Sequence, residues 1–272
     1  MNGSGAPRAA VPWWVVLRSP GVRVLTYHAV DRDVGDRWRS FAVTPRAFAR
    51  QMDLLARLGW RCLPLDRVLE DLARGIDAPP RAFALTFDDG YDDLDHDVAP
   101  VLARHGFVAT VFVVAGRLGG TTDWSAAGGE PERRLLPAEA LRRLDGRVFR
   151  FESHSLTHPV LTRLAPADAR EEISGSRRAL EDVLGRPVRA FAYPHGAFDD
   201  ATEARVRDAG YAAVATTVPG PNPPGTSAFR LRRVTLRAHD TPATFLFKVV
   251  SGHGLRSAMR RALGRDGGGA RS

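Results

Sequence analysis

Two adjacent aspartates, Asp88 and Asp89, close the apolar run Leu85-Thr86-Phe87 and are followed by Gly90. Carboxylates this close repel one another and raise a pKa unless a cation sits beside them. The pair therefore asks for a metal. The acidic residues that follow, Asp92, Asp93, Asp95 and Asp97, read instead as charges at the start of the next helix, where the dipole favours them. Downstream, the segment Glu152-Ser-His-Ser-Leu-Thr-His-Pro159 places His154 and His158 four residues apart, directly after another strand-like run. On a helical turn that spacing puts both imidazoles on one face, within reach of a single ion at about 2.0–2.1 Å. With Asp89 they compose an Asp-His-His triad that leaves positions open to water. A third segment, Arg189-Ala-Phe-Ala-Tyr-Pro-His-Gly196, runs a strand into a Pro-X-Gly turn, which can present a backbone N–H to a developing oxyanion. One carboxylate and two imidazoles suit Zn, with Co or Ni as alternatives.

Placing these groups together requires a scaffold whose strand ends converge. From Val22 onward short β-rich apolar runs alternate with stretches of helical period, the pattern of βα units around a parallel sheet. The strands are expected at Val22–Tyr27, Ala82–Phe87, Ala109–Val114, Val148–Phe151, Ala190–Tyr193, Ala212–Ala215 and Leu231–Leu236. A helix over Thr44–Leu58 opens with Thr44 as N-cap and Pro45 at the first helical position, and repeats apolar residues at Phe48, Met52, Leu55 and Leu58. Further helices are expected over Pro166–Leu184 and Asp200–Ala209, with Gly185 and Gly210 as C-caps. Two longer loops, Gly116–Glu132 and Pro219–Ser227, are the places where such a scaffold carries function.

The chain has 272 residues, a formal net charge of +8, 44% hydrophobic and 26% charged residues and one cysteine, Cys62. That balance excludes a disordered or disulfide-stapled chain, and a cysteine-built zinc site with it. The arginines are scattered rather than interleaved with aromatics, so no nucleic-acid partner is expected. The milder reading of the charge is weak contact with an anionic polymer or membrane surface. No stretch approaches the roughly 20 apolar residues of a spanning helix. Val11–Leu17 is too short and contains Pro12, so it reads as a greasy N-terminal segment rather than a signal peptide, which makes the expected location cytoplasmic. The expected organisation is an N-terminal segment over 1–21, one barrel over 22–250 and a basic, Gly-rich tail over 251–272.

The order TFDDGYDD, HSLTHP, FAYPHG resembles the polysaccharide deacetylases, the NodB-homology domain of carbohydrate esterase family four. The resemblance runs from about Val24 through Val249. It implies a distorted (β/α)7-type barrel in a single α/β domain, in agreement with the seven expected strands. In such a barrel functional residues gather at the C-terminal strand ends, where Tyr27/His28, Asp88/Asp89, His154 and Tyr193 all fall. The resemblance implies Asp88 as catalytic base, Asp89, His154 and His158 as metal ligands, and the backbone N–H of His195 as oxyanion donor. Tyr193, Pro194, His195 and Trp124 are the residues expected to contact the sugar. The implied reaction is removal of N-acetyl groups from amino sugars of a polysaccharide or oligosaccharide.

The chain departs from the family pattern in three places. The arginine that many members carry before the third motif's turn is replaced by Ala192, and Arg189 faces the other side of the strand. The family's Asp-Trp motif is missing, Trp124 lying ahead of the histidines instead. The segment Leu236 to Asp240 offers His239 as the acid that protonates the departing amine, while Arg233-Val-Thr-Leu reads equally well as a plain strand, with His28 then nearer the site. The acid role stays open between His28 and His239. A small or lipid-linked saccharide as substrate, and a non-catalytic carbohydrate-binding barrel, are the competing readings.

Overall fold

The computed structural model describes residues 20–32, 41–126 and 132–254. The segment around Val11–Leu17 and the tail after Leu255 lie outside the described residues. Just beyond the expected boundary at 250, Ser251 and His253 are both buried. Among the described residues no helix is long and apolar enough to cross a membrane.

The main sheet is parallel throughout its paired strands. Its strands are β1 (Arg23–Tyr27), β4 (Arg61–Cys62), β5 (Ala82–Phe87), β6 (Ala109–Val113), β7 (Phe149–Ser153), β8 (Ala190–Ala192), β9 (Ala213–Ala215) and β10 (Val234–Thr235). They run in the order β10-β1-β5-β6-β7-β8-β9, with β4 added on β5. A parallel bridge between Ala215 and Leu231 joins the two ends, so residues 231–236 touch β9 at one end and β1 at the other. This is the distorted (β/α) barrel expected from the sequence. A separate pair, β2 (Ala29–Val30) and β3 (Ala42–Val43), lies beside its mouth.

The strands were legible because a parallel sheet covered on both faces needs continuous apolar runs. Every residue of β5 and β6 is buried. Successive residues nonetheless part to opposite faces. Val24, Ala84, Phe112, Ala190, Ala192, Ala213 and Ala215 form one cluster of mostly small side chains. Leu25, Leu85, Phe87, Val111 and Phe191 join the larger cluster packed with the helices.

The helix Pro45–Arg57 starts as expected, with Thr44 Oγ1 accepting the Ala47 N–H at 3.1 Å, and buries Phe48, Met52 and Leu55. Pro166–Leu184 ends on left-handed Gly185, and Asp200–Asp208 is opened by a capping box between Asp199 and Thr202. The helix expected after Asp89 is present as Ala99–His105, whereas helices Leu65–Ala73, Ala138–Leu144 and Pro242–Ser251 were not read from the sequence. Leu65–Ala73 and Ala138–Leu144 have no side-chain N-cap bond to announce them, which removes the strongest start signal.

Asp93 corrects the view of it as a helix-end charge. It is 6% exposed and accepts the Val30 N–H at 2.9 Å, tying β2 to the turn after β5. Burial pushes its carboxyl well above the usual range. In the helix that follows, His105 is half-buried with its Nε2 2.8 Å from Asp53 Oδ1, whereas His96 is exposed.

Candidate metal and catalytic site

The site is built at the C-terminal ends of β1, β5, β7, β8 and β10, around a pocket of about 490 Å³. After β5 the chain turns tightly. Gly90 has φ 82°, and a Cβ there would lie 2.7 Å from Val113 Cγ1, so no larger residue fits without movement. Asp89 itself is left-handed at φ 71°, a conformation that costs a non-glycine residue roughly 1–3 kcal/mol. The turn aims the two adjacent aspartates at different partners.

Asp89 faces the histidines. Its Oδ1 lies 3.6 Å from His154 Nε2 and 3.4 Å from His158 Nε2. His154 continues the line of β7, donating its N–H to Val113 O at 2.9 Å. Its Nδ1–H donates to Ala192 O at 2.8 Å, which fixes the tautomer and leaves Nε2 as the free donor atom.

His158 is not placed by a helical turn, and here the expected local geometry is corrected. Residues 154–158 form a loop in which Ser155 and His158 are both left-handed, at φ 66° each. Ser155 Oγ accepts the His158 N–H at 3.0 Å, and Glu172 accepts the Leu156 and Thr157 N–H groups at 3.0 and 2.9 Å. The loop is thus clamped by the helix behind it. Trp124 stacks on the His158 ring at 4.6 Å.

Asp88 turns the other way. Its two oxygens accept a forked pair from Arg233, Nη1 to Oδ1 at 2.6 Å and Nη2 to Oδ2 at 2.8 Å. Arg233 is itself 2% exposed, with Nε donating to Thr216 O at 2.9 Å and its guanidinium 5.5 Å from the Phe112 ring. Burial alone pushes Asp88 up, but the charges of Arg233, His154 and His28 outweigh it and hold the carboxyl down at about 2. Arg233, rather than any residue near Ala192, is the arginine that meets Asp88, and the sequence reading passed over it as part of a plain strand.

Of the two acid candidates, His28 lines the pocket with Nε2 3.9 Å from Asp88 Oδ2, and its ring meets Phe41 edge-on at 5.6 Å. His239 is exposed in the turn at 238–239 and is absent from the pocket wall. Tyr27 is core rather than site, its hydroxyl donating to Gln51 Oε1 at 2.8 Å. Tyr193, His195 and Trp124 line the pocket, and Pro194 is buried beneath it. His195 stands at φ 58° with its ring 4.5 Å from His158. Tyr91, also missed, lines the pocket and hydrogen-bonds the Asp89 carboxylate.

The donor atoms of Asp89, His154 and His158 all lie within 4.8 Å of one another. The Asp89–imidazole separations are too long for hydrogen bonds and close to the edge of a tetrahedron around an ion held at about 2.0–2.1 Å. Burial holds both imidazoles below their ordinary pKa, with repulsion from His154 and His195 adding to the effect at His158. Neutral imidazoles and one carboxylate are the protonation states a divalent cation requires. The residues fit a metal.

A parallel barrel holding such a donor set and a separately tethered carboxylate at its mouth is the architecture of a hydrolase. The comparisons agree. The family model described as Polysaccharide deacetylase matches residues 75–214, just over half of the chain. YxkH of Bacillus subtilis (strain 168), by name a polysaccharide deacetylase, is 24% identical over 222 residues, covering 81% of this chain and 74% of that one. The chitooligosaccharide deacetylase of Bradyrhizobium sp. (strain ANU 289) is 31% identical over 139 residues, 49% of this chain and 55% of its own. Among solved structures, Streptococcus pyogenes deacetylase PplD, in complex with acetate, superposes with a TM-score of 0.73 at 22% identity, covering 85% of this chain and 99% of PplD. The chain belongs to the polysaccharide deacetylase family.

Proposed function

We propose that this enzyme removes N-acetyl groups from amino sugars of a polysaccharide or oligosaccharide, with Asp89, His154 and His158 holding a divalent metal, Zn or else Co or Ni. When bound, that metal polarises the acetamide carbonyl and acidifies a coordinated water. Asp88 takes the water's proton. Its pairing with Arg233 keeps it an acceptor at every working pH and fixes both oxygens, so the position of the base is set before substrate arrives. His28, at 3.9 Å from the base, is the group placed to pass a proton to the departing amine. In the Pro194–Gly196 turn the Gly196 and Ala197 N–H groups already donate to Tyr193 O and Pro194 O at 2.9 and 3.3 Å. The His195 N–H is therefore the turn's donor for the developing oxyanion. Trp124, Tyr193 and the His195 ring supply the walls against which the sugar packs.

The observation that carries this reading is the division of labour between adjacent aspartates, one on a buried arginine and one on two imidazoles. Acetate release from a panel of N-acetylated glycans, followed by mass spectrometry of the products, tests it. Loss of one acetyl mass from at least one glycan is expected. Products cleaved at the glycosidic bond, with acetyl groups intact, would contradict it.

A further inference from the structure

The charged side chains that line the pocket divide cleanly by task. Asp88 is neutralised by Arg233, Asp89 faces two imidazoles, and His28 stands beside Asp88. One formal charge has no such assignment: Arg237, which also lines the pocket and is half-buried. Among the described residues no carboxylate lies within salt-bridge distance of its guanidinium, whereas Arg233, the other arginine serving this site, is forked onto Asp88.

Its backbone is held firmly. Leu236 N–H donates to Thr26 O at 2.9 Å, and Asp240 Oδ2 accepts the Arg237 N–H at 2.8 Å. That same Asp240 oxygen receives Lys248 Nζ at 2.6 Å, and Lys248 also donates to Thr235 O at 2.9 Å. The nearest carboxylate in sequence is therefore engaged with the last helix and with the Arg237 main chain, not with the guanidinium. The arrangement fixes where Arg237 stands while leaving its donors unmatched. A guanidinium is ionised at any pH the protein meets, and its planar fork matches a carboxylate or phosphate.

We infer that the pocket takes a saccharide bearing an oxyanion, a carboxylate or a phosphate ester, close to its N-acetyl group, with Arg237 as the residue that selects it. This rests on the deacetylase reading for the reaction but not for the binding preference. The reacting acetyl group would sit at Asp89, His154 and His158 and the anion at Arg237, all in the wall of the same pocket.

The test uses the metal-loaded protein and three matched sugars: neutral N-acetylglucosamine, N-acetylmuramic acid for the carboxylate, and N-acetylglucosamine 6-phosphate for the phosphate. Acetate release gives kcat/KM for each, and calorimetry on the Asp88→Asn protein gives affinity without turnover. One or both acidic sugars should be preferred by about 10-fold or more, as charge-assisted hydrogen bonds allow, and the preference should shrink as salt rises. Which sugar gains identifies the oxyanion. Arg237→Gln should collapse the acidic-to-neutral ratio in both measurements, and Arg237→Lys should keep part of it by charge alone. Equal affinity for neutral and acidic sugars, or a ratio that Arg237→Gln leaves unchanged at an unaltered melting temperature, overturns the inference. If no sugar releases acetate, the proposed reaction falls, and the calorimetric ratio still decides the role of Arg237.

Discussion

Replacing Arg233 by methionine keeps the length of the side chain and removes the charge that Asp88 leans on. In the native protein Asp88 is held at about 2 against an ordinary 3.8, a depression worth roughly 2 kcal/mol of folding stability. The sign follows from the depression: this stabilisation is present above the unfolded pKa and is lost as pH falls toward 2. Without Arg233 the burial of Asp88 is far less opposed, so its pKa rises instead and the ionised form becomes the unfavourable one. Breaking a buried pair by deleting one partner costs about 3–5 kcal/mol. For a domain of this size that lowers the melting temperature by roughly 10 °C, since each kcal/mol is worth about 2–4 °C. The deficit of Arg233→Met relative to wild type should be largest near neutral pH and shrink in acid, where Asp88 takes up a proton. Adding Asp88→Asn should recover part of the loss, because the uncompensated charge is gone. Urea denaturation of the four proteins of this double-mutant cycle at several pH values measures the coupling, expected to exceed about 2 kcal/mol. A cost under about 1 kcal/mol that is indifferent to pH and additive with Asp88→Asn would refute the reasoning.

Chelation should abolish acetate release and added Zn, Co or Ni should restore it; elemental analysis should find metal depleted in His154→Ala and His158→Ala but retained in Asp88→Asn, which loses turnover alone. His28→Asn should lower kcat by about 10²–10⁴, the range for a lost general acid, while His239→Asn, altering an exposed turn, should change it little; comparable losses in both would return the acid role to dispute.

Seven of the eight strands of the main sheet could be read because they are short, mostly apolar runs that the sheet covers, β4 (Arg61–Cys62) being the exception, and three helices because caps and period agreed. β2 and β3 could not, since two-residue strands such as Ala29–Val30 exist only through their mutual pairing and the Asp93 bond. The metal donors were visible as residue types at a spacing, yet that spacing fitted a helical turn as well as the left-handed loop observed. What distinguishes them is Glu172, whose hold on Leu156 and Thr157 is tertiary. Arg233 left a faint signal. It lies two residues after Leu231, and alternation puts both on one face, buried, while Arg232 is exposed. With two consecutive arginines, nothing in the sequence said that a buried one had an aspartate to meet.

The Asp88–Arg233 pair joins residues 145 positions apart. All three metal donors are present in the chain by His158, and the run from β5 through β9 by Ala215, whereas Arg233 arrives with the segment that bridges Ala215 to β1. Synthesis therefore delivers the ligands long before the partner of the base. Sealing the barrel and tethering Asp88 are one event, brought about by one segment. A nascent chain, or one clipped ahead of residue 231, carries Asp89, His154 and His158 and yet no partner for Asp88, so on the proposed mechanism competence for hydrolysis comes only with the final strand.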